Sequence, residues 1–248
     1  MTKHQKLAVY LLIVSMVFTA CNREYNPVPP NAMEIFPLQD DKYRIYHVID
    51  TIYASVTLEE ARSYYKRELT QGTEKDLLGR DASVLWLHTS TDTLGTSATP
   101  IYQWDFFEVW TQYLSDTYAE RIEGNTRKLV LRWPPYPNAT WNGNLYNNLE
   151  LQQYRYLNID TTVVVRGVAY EHCVFVLQVP FRMPVEKSPG NPAPPFFLIE
   201  HAYEIYAPKI GKIVGYYKFY EEQAVGGHVQ IDPESRIYHE ELVSHNYY

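Results

Sequence analysis

Cysteine is nearly missing from this chain: Cys21 and Cys173 are the two among 248 residues. That is too few for a disulfide framework or a cysteine-built zinc site. Glycine is sparse at 11 residues, and none of it forms a phosphate-cradling loop, a dinucleotide fingerprint or a Gly-x-Ser-x-Gly elbow. Basic residues are outnumbered, 22 Lys+Arg against 29 Asp+Glu, for a net charge of −7. An acidic chain without basic clusters cannot neutralise phosphates, so nucleic acid is excluded as a partner. Low charge is not a sign of disorder here. At 46% hydrophobic and 21% charged, the chain has enough apolar surface to bury a core.

The one long apolar run is at the N-terminus. Lys3, His4 and Lys6 give a basic start, and Leu7 to Ala20 follows without a charge. At about 1.5 Å per residue the run reaches roughly 21 Å, short of a bilayer core of about 30 Å. It reads as the apolar part of a signal peptide. The run ends in Phe18-Thr19-Ala20-Cys21, which resembles the lipobox of bacterial lipoproteins, with Phe18 in place of the usual aliphatic residue. The resemblance implies that residues 1–20 are removed and that Cys21 is acylated on its thiol and its new amine. Cleavage removes Lys3 and Lys6 and no acid, so the mature chain is more acidic still. Acylation consumes Cys21 and leaves Cys173 without a disulfide partner. Several acyl chains on one residue make a stable membrane anchor, where one gives marginal binding. Residues 21–34 then form a spacer, kept extended by Pro27, Pro29 and Pro30.

From residue 35 to 248 the texture is that of a single β-rich domain. Residues 43–53 alternate in period two, with Tyr43, Ile45, His47, Ile49 on one face and Arg44, Tyr46, Val48, Asp50 on the other. Further strands are expected over 83–89, 106–113, 118–122, 127–133, 151–159, 162–168, 172–179, 196–207, 212–222 and 235–246. Glu123-Gly124-Asn125 reads as a hairpin turn, and Pro208 to Gly211 as another. Gly211 supplies the positive φ a tight turn demands. Residues 182–195 are a proline-rich loop. Residues 57–70 admit two readings: a helix opened by the capping box Thr57-Leu58-Glu59-Glu60, or a strand returning against 43–53. A meander needs its second strand there, which favours the strand. Turns every ten residues or so, with no helix between strands, predict an antiparallel meander curved into a sheet, sandwich or barrel-like domain.

Trp141-Asn142-Gly143-Asn144 and the segment 202–214 (AYEIYAPKIGKIV), taken with the lipobox and Ile35-Phe36-Pro37-Leu38, resemble uncharacterised outer-membrane and periplasmic lipoproteins of Bacteroidota. The insert 182–195 and Lys212 after the turn glycine depart from that pattern. The resemblance implies a β-rich, membrane-anchored body and supplies no catalytic residue. Asn22 after the acylated cysteine implies sorting to the outer membrane, with either face open.

The search for chemistry yields little. His239, Glu241 and His245 share a strand face, but six residues at about 3.3 Å put the two histidines roughly 20 Å apart, too far for one ion. His172 precedes Cys173 and points to the opposite face of a strand, so it cannot serve as the base of that thiol. Apolar neighbours make Cys173 an inert, packed cysteine. Glu200 and Glu204 share a face, and His201 sits opposite among Ile199, Tyr203 and Ile205. No catalytic, metal or cofactor set emerges. The excess is aromatic, led by 23 tyrosines. Tyr and Trp cover half-buried pleated surface well, which accounts for most of them, and they also stack on sugar rings or line apolar pockets. Trp141, Tyr203 and Tyr206 are the candidate ligand-binding residues. The sequence points to an envelope lipoprotein with a non-catalytic binding or structural module. Its partners would be the membrane through the lipid, and a glycan, an apolar ligand or an envelope protein. The alternatives are a polysaccharide-acting hydrolase with acids from separate strands, or an assembly component.

Overall fold

A computed structural model describes residues 31–55, 58–91, 93–96, 99–179, 196–225 and 228–247. Cys21, the leader, the tether up to residue 30, the loop 182–195 and Thr57 lie outside the described residues.

One turn of helix, α1 (Ala32–Ile35), opens the described chain, with Asn31 as N-cap accepting from the Met33 amide. Fifteen strands follow: β1 (Lys42–Ser55), β2 (Leu58–Lys75), β3 (Asp81–Ser90), β4 (Thr93–Thr96), β5 (Thr99–Tyr102), β6 (Asp105–Leu114), β7 (Tyr118–Glu123), β8 (Thr126–Arg132), β9 (Thr140–Asn142), β10 (Gln153–Val165), β11 (Val168–Val179), β12 (Phe196–Ala207), β13 (Gly211–Val225), β14 (His228–Ile231) and β15 (Arg236–His245). Strands make up 70% of the structure, and the sheet is an antiparallel, nearly closed barrel. Of the sheet, sandwich and barrel forms open to the sequence, it takes the last.

The sheet order is β8-β7-β6-β3-β2-β1-β15-β13-β12-β11-β10-β9, with β14 beside β13 and β4–β5 as a separate hairpin. Two meanders, one from each half of the chain, meet where the first strand pairs with the last: Tyr46 faces Leu242 and Val48 faces Glu240. Residues 58–75 are the strand and not the helix. They form a long ladder with β1, from Lys42↔Thr70 to Ser55↔Leu58, which a helix would have left unpaired.

Two sequence readings need correction. Residues 151–168 are not two strands with a break near 160. β10 runs through, and Arg166-Gly167 makes the turn, both at positive φ, joining Val165 to its partner Val168. This is the two-residue turn whose twist matches paired strands. The alternation looked broken because the β10–β11 ladder shifts register between Tyr156 and Val163. Likewise β11 begins at Val168 and not at His172.

Closure comes from one backbone bond and from side chains. At the open seam between β8 and the β9–β10 edge, the Leu129 amide donates to the Gly143 carbonyl (2.8 Å) and the Trp141 indole N–H donates to the Leu129 carbonyl (2.9 Å). The Tyr156 hydroxyl accepts from the Arg132 amide (3.0 Å) and donates to the Arg132 carbonyl (2.6 Å). Two rings and one backbone bond thus stand in for a ladder, and the seam-side polar groups of Leu129 and Arg132 are satisfied. A buried apolar cluster packs behind the seam: Trp141, Tyr154, Tyr156, Leu129, Leu131 and Val176, with Ile35 and Phe36 of the N-terminal turn among its members.

Candidate functional site

Period two places one set of side chains from each strand inside the barrel. The inward set is unusually polar. Arg44 and Tyr46 of β1, Lys66 and Glu68 of β2, Arg121 of β7, Glu204 and Tyr206 of β12, Lys212 of β13 and Glu240 of β15 are all buried. Register makes them neighbours: Tyr46 pairs with Lys66, Arg44 with Glu68, Tyr206 with Lys212.

The ionic contacts form one belt. Lys212 Nζ lies 2.7 Å from Glu240 Oε1, 3.0 Å from Glu68 Oε1 and 3.9 Å from Glu204 Oε1. Lys66 pairs with Glu240 and lies 3.3 Å from Glu68. Arg44 Nε is 3.3 Å from Glu68 Oε2. Arg121 donates to Glu204 (2.9 Å) and Glu123 (2.6 Å), and Lys128 donates to Glu123 (2.7 Å). Hydroxyls take up remaining oxygens: Tyr206 donates to Glu204 (2.6 Å) and Tyr238 to Glu240 (2.8 Å). Gln178 donates to Glu204 as well (2.9 Å).

Gly215 lies between Glu204 and Glu240 in the ladder. A Cβ there would sit 2.6 Å from Glu240 Oε1, so a side chain at 215 would evict the carboxylate.

Burial alone would drive these carboxyls to protonate, and the surrounding cations overrule it. Against burial, Lys212 and Lys66 hold Glu240 down to about 2. Arg121 and Lys128 do the same for Glu123, also about 2. Lys212, Lys66 and Arg44 hold Glu68 well below the carboxylate range, and Arg121 and Lys212 lower Glu204. Burial first, then Glu204, raises the Tyr206 phenol far out of reach of neutral pH. Every carboxylate of the belt is therefore ionised and engaged.

Beside the belt the barrel wall encloses an open cavity of about 420 Å³, lined by Lys66, Trp110, Arg121, Tyr217, Tyr238 and Glu240 among others. Its volume falls within the roughly 300–1,000 Å³ typical of small-molecule sites. A second depression of about 540 Å³ shares Tyr64, Thr89, Phe107 and Arg236 with it. The Trp110 indole N–H is buried and has no hydrogen-bond partner. Lys66 Nζ and Arg121 Cζ lie over its ring at 5.9 and 5.4 Å.

The residues singled out from sequence are not brought to one place. Trp141 and Tyr206 belong to the same buried cluster, Trp141 in the seam and Tyr206 on the belt. Tyr203 stacks between Phe175 (5.0 Å) and Tyr216 (5.2 Å), packed against a second cluster. His201 Nδ1 donates to the Val179 carbonyl (3.0 Å). His239 reaches Glu241 at 3.7 Å, while His245 sits with Tyr247. Among the described residues no three metal-ligating groups converge. Cys173 is buried, its thiol pushed up to about 11 by burial. His172 turns instead to Asp160, 2.6 Å away.

Sequence reasoning missed the belt. Its trace is there in the charged residues two apart from tyrosines on strand-like runs: Arg44-x-Tyr46, Glu204-x-Tyr206, Tyr238-x-Glu240. The run of β2 carries charge on both faces at Lys66-Arg67-Glu68, which one solvated face does not need.

No protein-family model matches the chain, and no curated protein is similar to it. Among solved structures, the chain overlaps a protein from Bacteroides fragilis, inferred to be exported and described as having a YmcC-like fold. The identity is 11%, covering 86% of this chain and 99% of that one, with a TM-score of 0.39.

Proposed function

We propose that this chain is an exported, lipid-anchored envelope protein whose barrel is a non-catalytic receptacle for a ligand. The observation that carries the reading is the open cavity of about 420 Å³ set against a belt of ionised, fully engaged carboxylates. A two-carboxylate hydrolase needs one carboxyl kept protonated near neutral pH. Glu68, Glu123, Glu204 and Glu240 are all shifted the other way. What the belt offers is a rigid floor of alternating donors and acceptors beneath aromatic walls, which suits recognition.

The anchor rests on the Phe18-Thr19-Ala20-Cys21 pattern. Cell fractionation with a palmitate label tests it: the label enters the full chain, and Cys21→Ser moves the protein out of the membrane fraction. Unlabelled protein, or a variant that stays with the membrane, overturns the anchor. The receptacle is tested by thermal melts of the full chain in detergent against hydroxyl-rich, acidic and apolar small molecules. One class raises the midpoint with dose, and Thr89→Trp, which fills the cavity, removes the shift. A panel without effect refutes the reading.

A further inference from the structure

Resting on the receptacle reading, we propose that the ligand is a neutral, hydroxyl-rich chain: an oligosaccharide of two or more units. Its inner unit lies against Trp110 and its outer unit lies beyond Arg236 and Asp50.

Three observations select this chemistry. The first is charge saturation. Lys66 and Lys212 are held by Glu68 and Glu240, Arg121 by Glu123 and Glu204, and Arg236 by both oxygens of Asp50 (2.7 and 2.9 Å). An anionic ligand would have to displace one of these carboxylates, leaving a buried charge unpaired. An apolar ligand would strip water from ionic walls and return no hydrogen bonds. A polyol loses little in either respect, because each hydroxyl both donates to a carboxylate and accepts from an N–H.

The second is the orphan donor. Trp110 lines the cavity, and its unpartnered Nε1 lies closed off from solvent behind that wall. A buried donor left unmade costs about 1–3 kcal/mol, and an indole that turns toward the cavity to meet a ligand hydroxyl or ring-ether oxygen removes that cost.

The third is length. The cavity of about 420 Å³ and the depression of about 540 Å³ have Tyr64, Thr89, Phe107 and Arg236 in common, so they adjoin along these residues. Phe107 is 61% exposed at that junction and offers a ring face to a sugar passing over it. A single ring fills only the inner part.

The test is calorimetric titration of the full chain in detergent with a neutral glucan series of one to five units. The matched uronic-acid series and a fatty acid serve as comparison probes. Affinity rises at least tenfold from one unit to two or three and then levels off, and the uronates bind at least tenfold more weakly. Trp110→Phe, which keeps a ring and removes the donor, weakens the neutral chains about tenfold. If Trp110→Phe fails to fold, the length series on the unaltered chain still decides. Binding of the uronates or the fatty acid in preference, abolished by Thr89→Trp, sinks this inference and leaves the receptacle standing. Heat from none of the probes, together with unchanged melts for the wider panel, removes both.

Discussion

Single residues carry the local architecture in ways that a type-by-type reading anticipates only in part. Trp141-Asn142-Gly143-Asn144 reads from sequence as a turn with the indole packed beneath it; Trp141 is indeed buried, but it and Asn142 belong to β9 and the turn starts at Gly143. Asn142 Oδ1 accepts from the amides of Asn144 and Gln152 (3.0 and 3.1 Å), and Asn144 Nδ2 donates to the Glu150 carbonyl (2.7 Å). What the sequence does not announce is why position 143 is glycine. Its φ is ordinary, but a Cβ would lie 2.5 Å from the Tyr154 ring. Nor does it announce that the indole N–H closes the barrel on Leu129. Trp141→Phe is expected to destabilise the fold by about 1–3 kcal/mol, the cost of an unmade bond at a buried carbonyl. Urea unfolding measures it, and an unchanged midpoint would show that the seam closes without this bond.

At the scale of elements, the β10–β11 hairpin is where reading and structure part. Its register slips repeatedly, and His172 takes φ +56 within it, an uncommon conformation outside glycine. The strain is met by Asp160, whose carboxylate bonds His172 Nδ1 at 2.6 Å and raises the imidazole above its usual 6.5. The folded-state value is raised, so this contact contributes fully below about pH 6.5 and is lost as pH climbs through the elevated value. An NMR titration of the full chain should find His172 titrating above pH 6.5, with Asp160→Asn returning it toward the ordinary range. A His172 that titrates at or below 6.5 in the unaltered chain would mean the pair does not form in solution.

At the scale of the whole molecule, the barrel is held by an apolar half behind the seam and an ionic half around Lys212. A buried ion pair is weak evidence of net stability, yet removing one partner costs about 3–5 kcal/mol because the other is left uncompensated. Lys212→Met leaves Glu68 and Glu240 to share Lys66, with Arg44 on Glu68, one cation short of balance, and a loss of that order is expected in chemical denaturation. The belt also sets the acid limit. Glu240 and Glu123 sit at about 2 against an ordinary 4.5. Their stabilisation is fully present above about pH 4.5 and drains as pH falls through 2. Circular dichroism should therefore show the strand signal intact at pH 5 and failing between pH 4 and 2. A barrel already unfolded at pH 5 would mean the belt carboxylates are not held down.

Much of the fold was legible. Period-two runs, turn residues and the missing helices prescribed an antiparallel, mainly β body, because those signals are local and each strand repeats them. The turn glycine Gly211, at φ +88, was legible for the same reason. The lipidation expected at Cys21 rests on a linear signal of the same kind, a spacing of residue types. Closure and the interior were not legible. Strand neighbours such as β1 and β15 are almost two hundred residues apart, and which side of a two-faced strand turns inward depends on the curvature of the whole sheet. Lys66 on one strand looks like any solvated lysine until a barrel places Glu68, Glu240 and Tyr46 around it. Sequence determined the strands and their alternation, since backbone geometry alone dictates period two. Tertiary structure decided that the polar face is the inside, since burial becomes affordable for charge only when opposite charges from six strands arrive together.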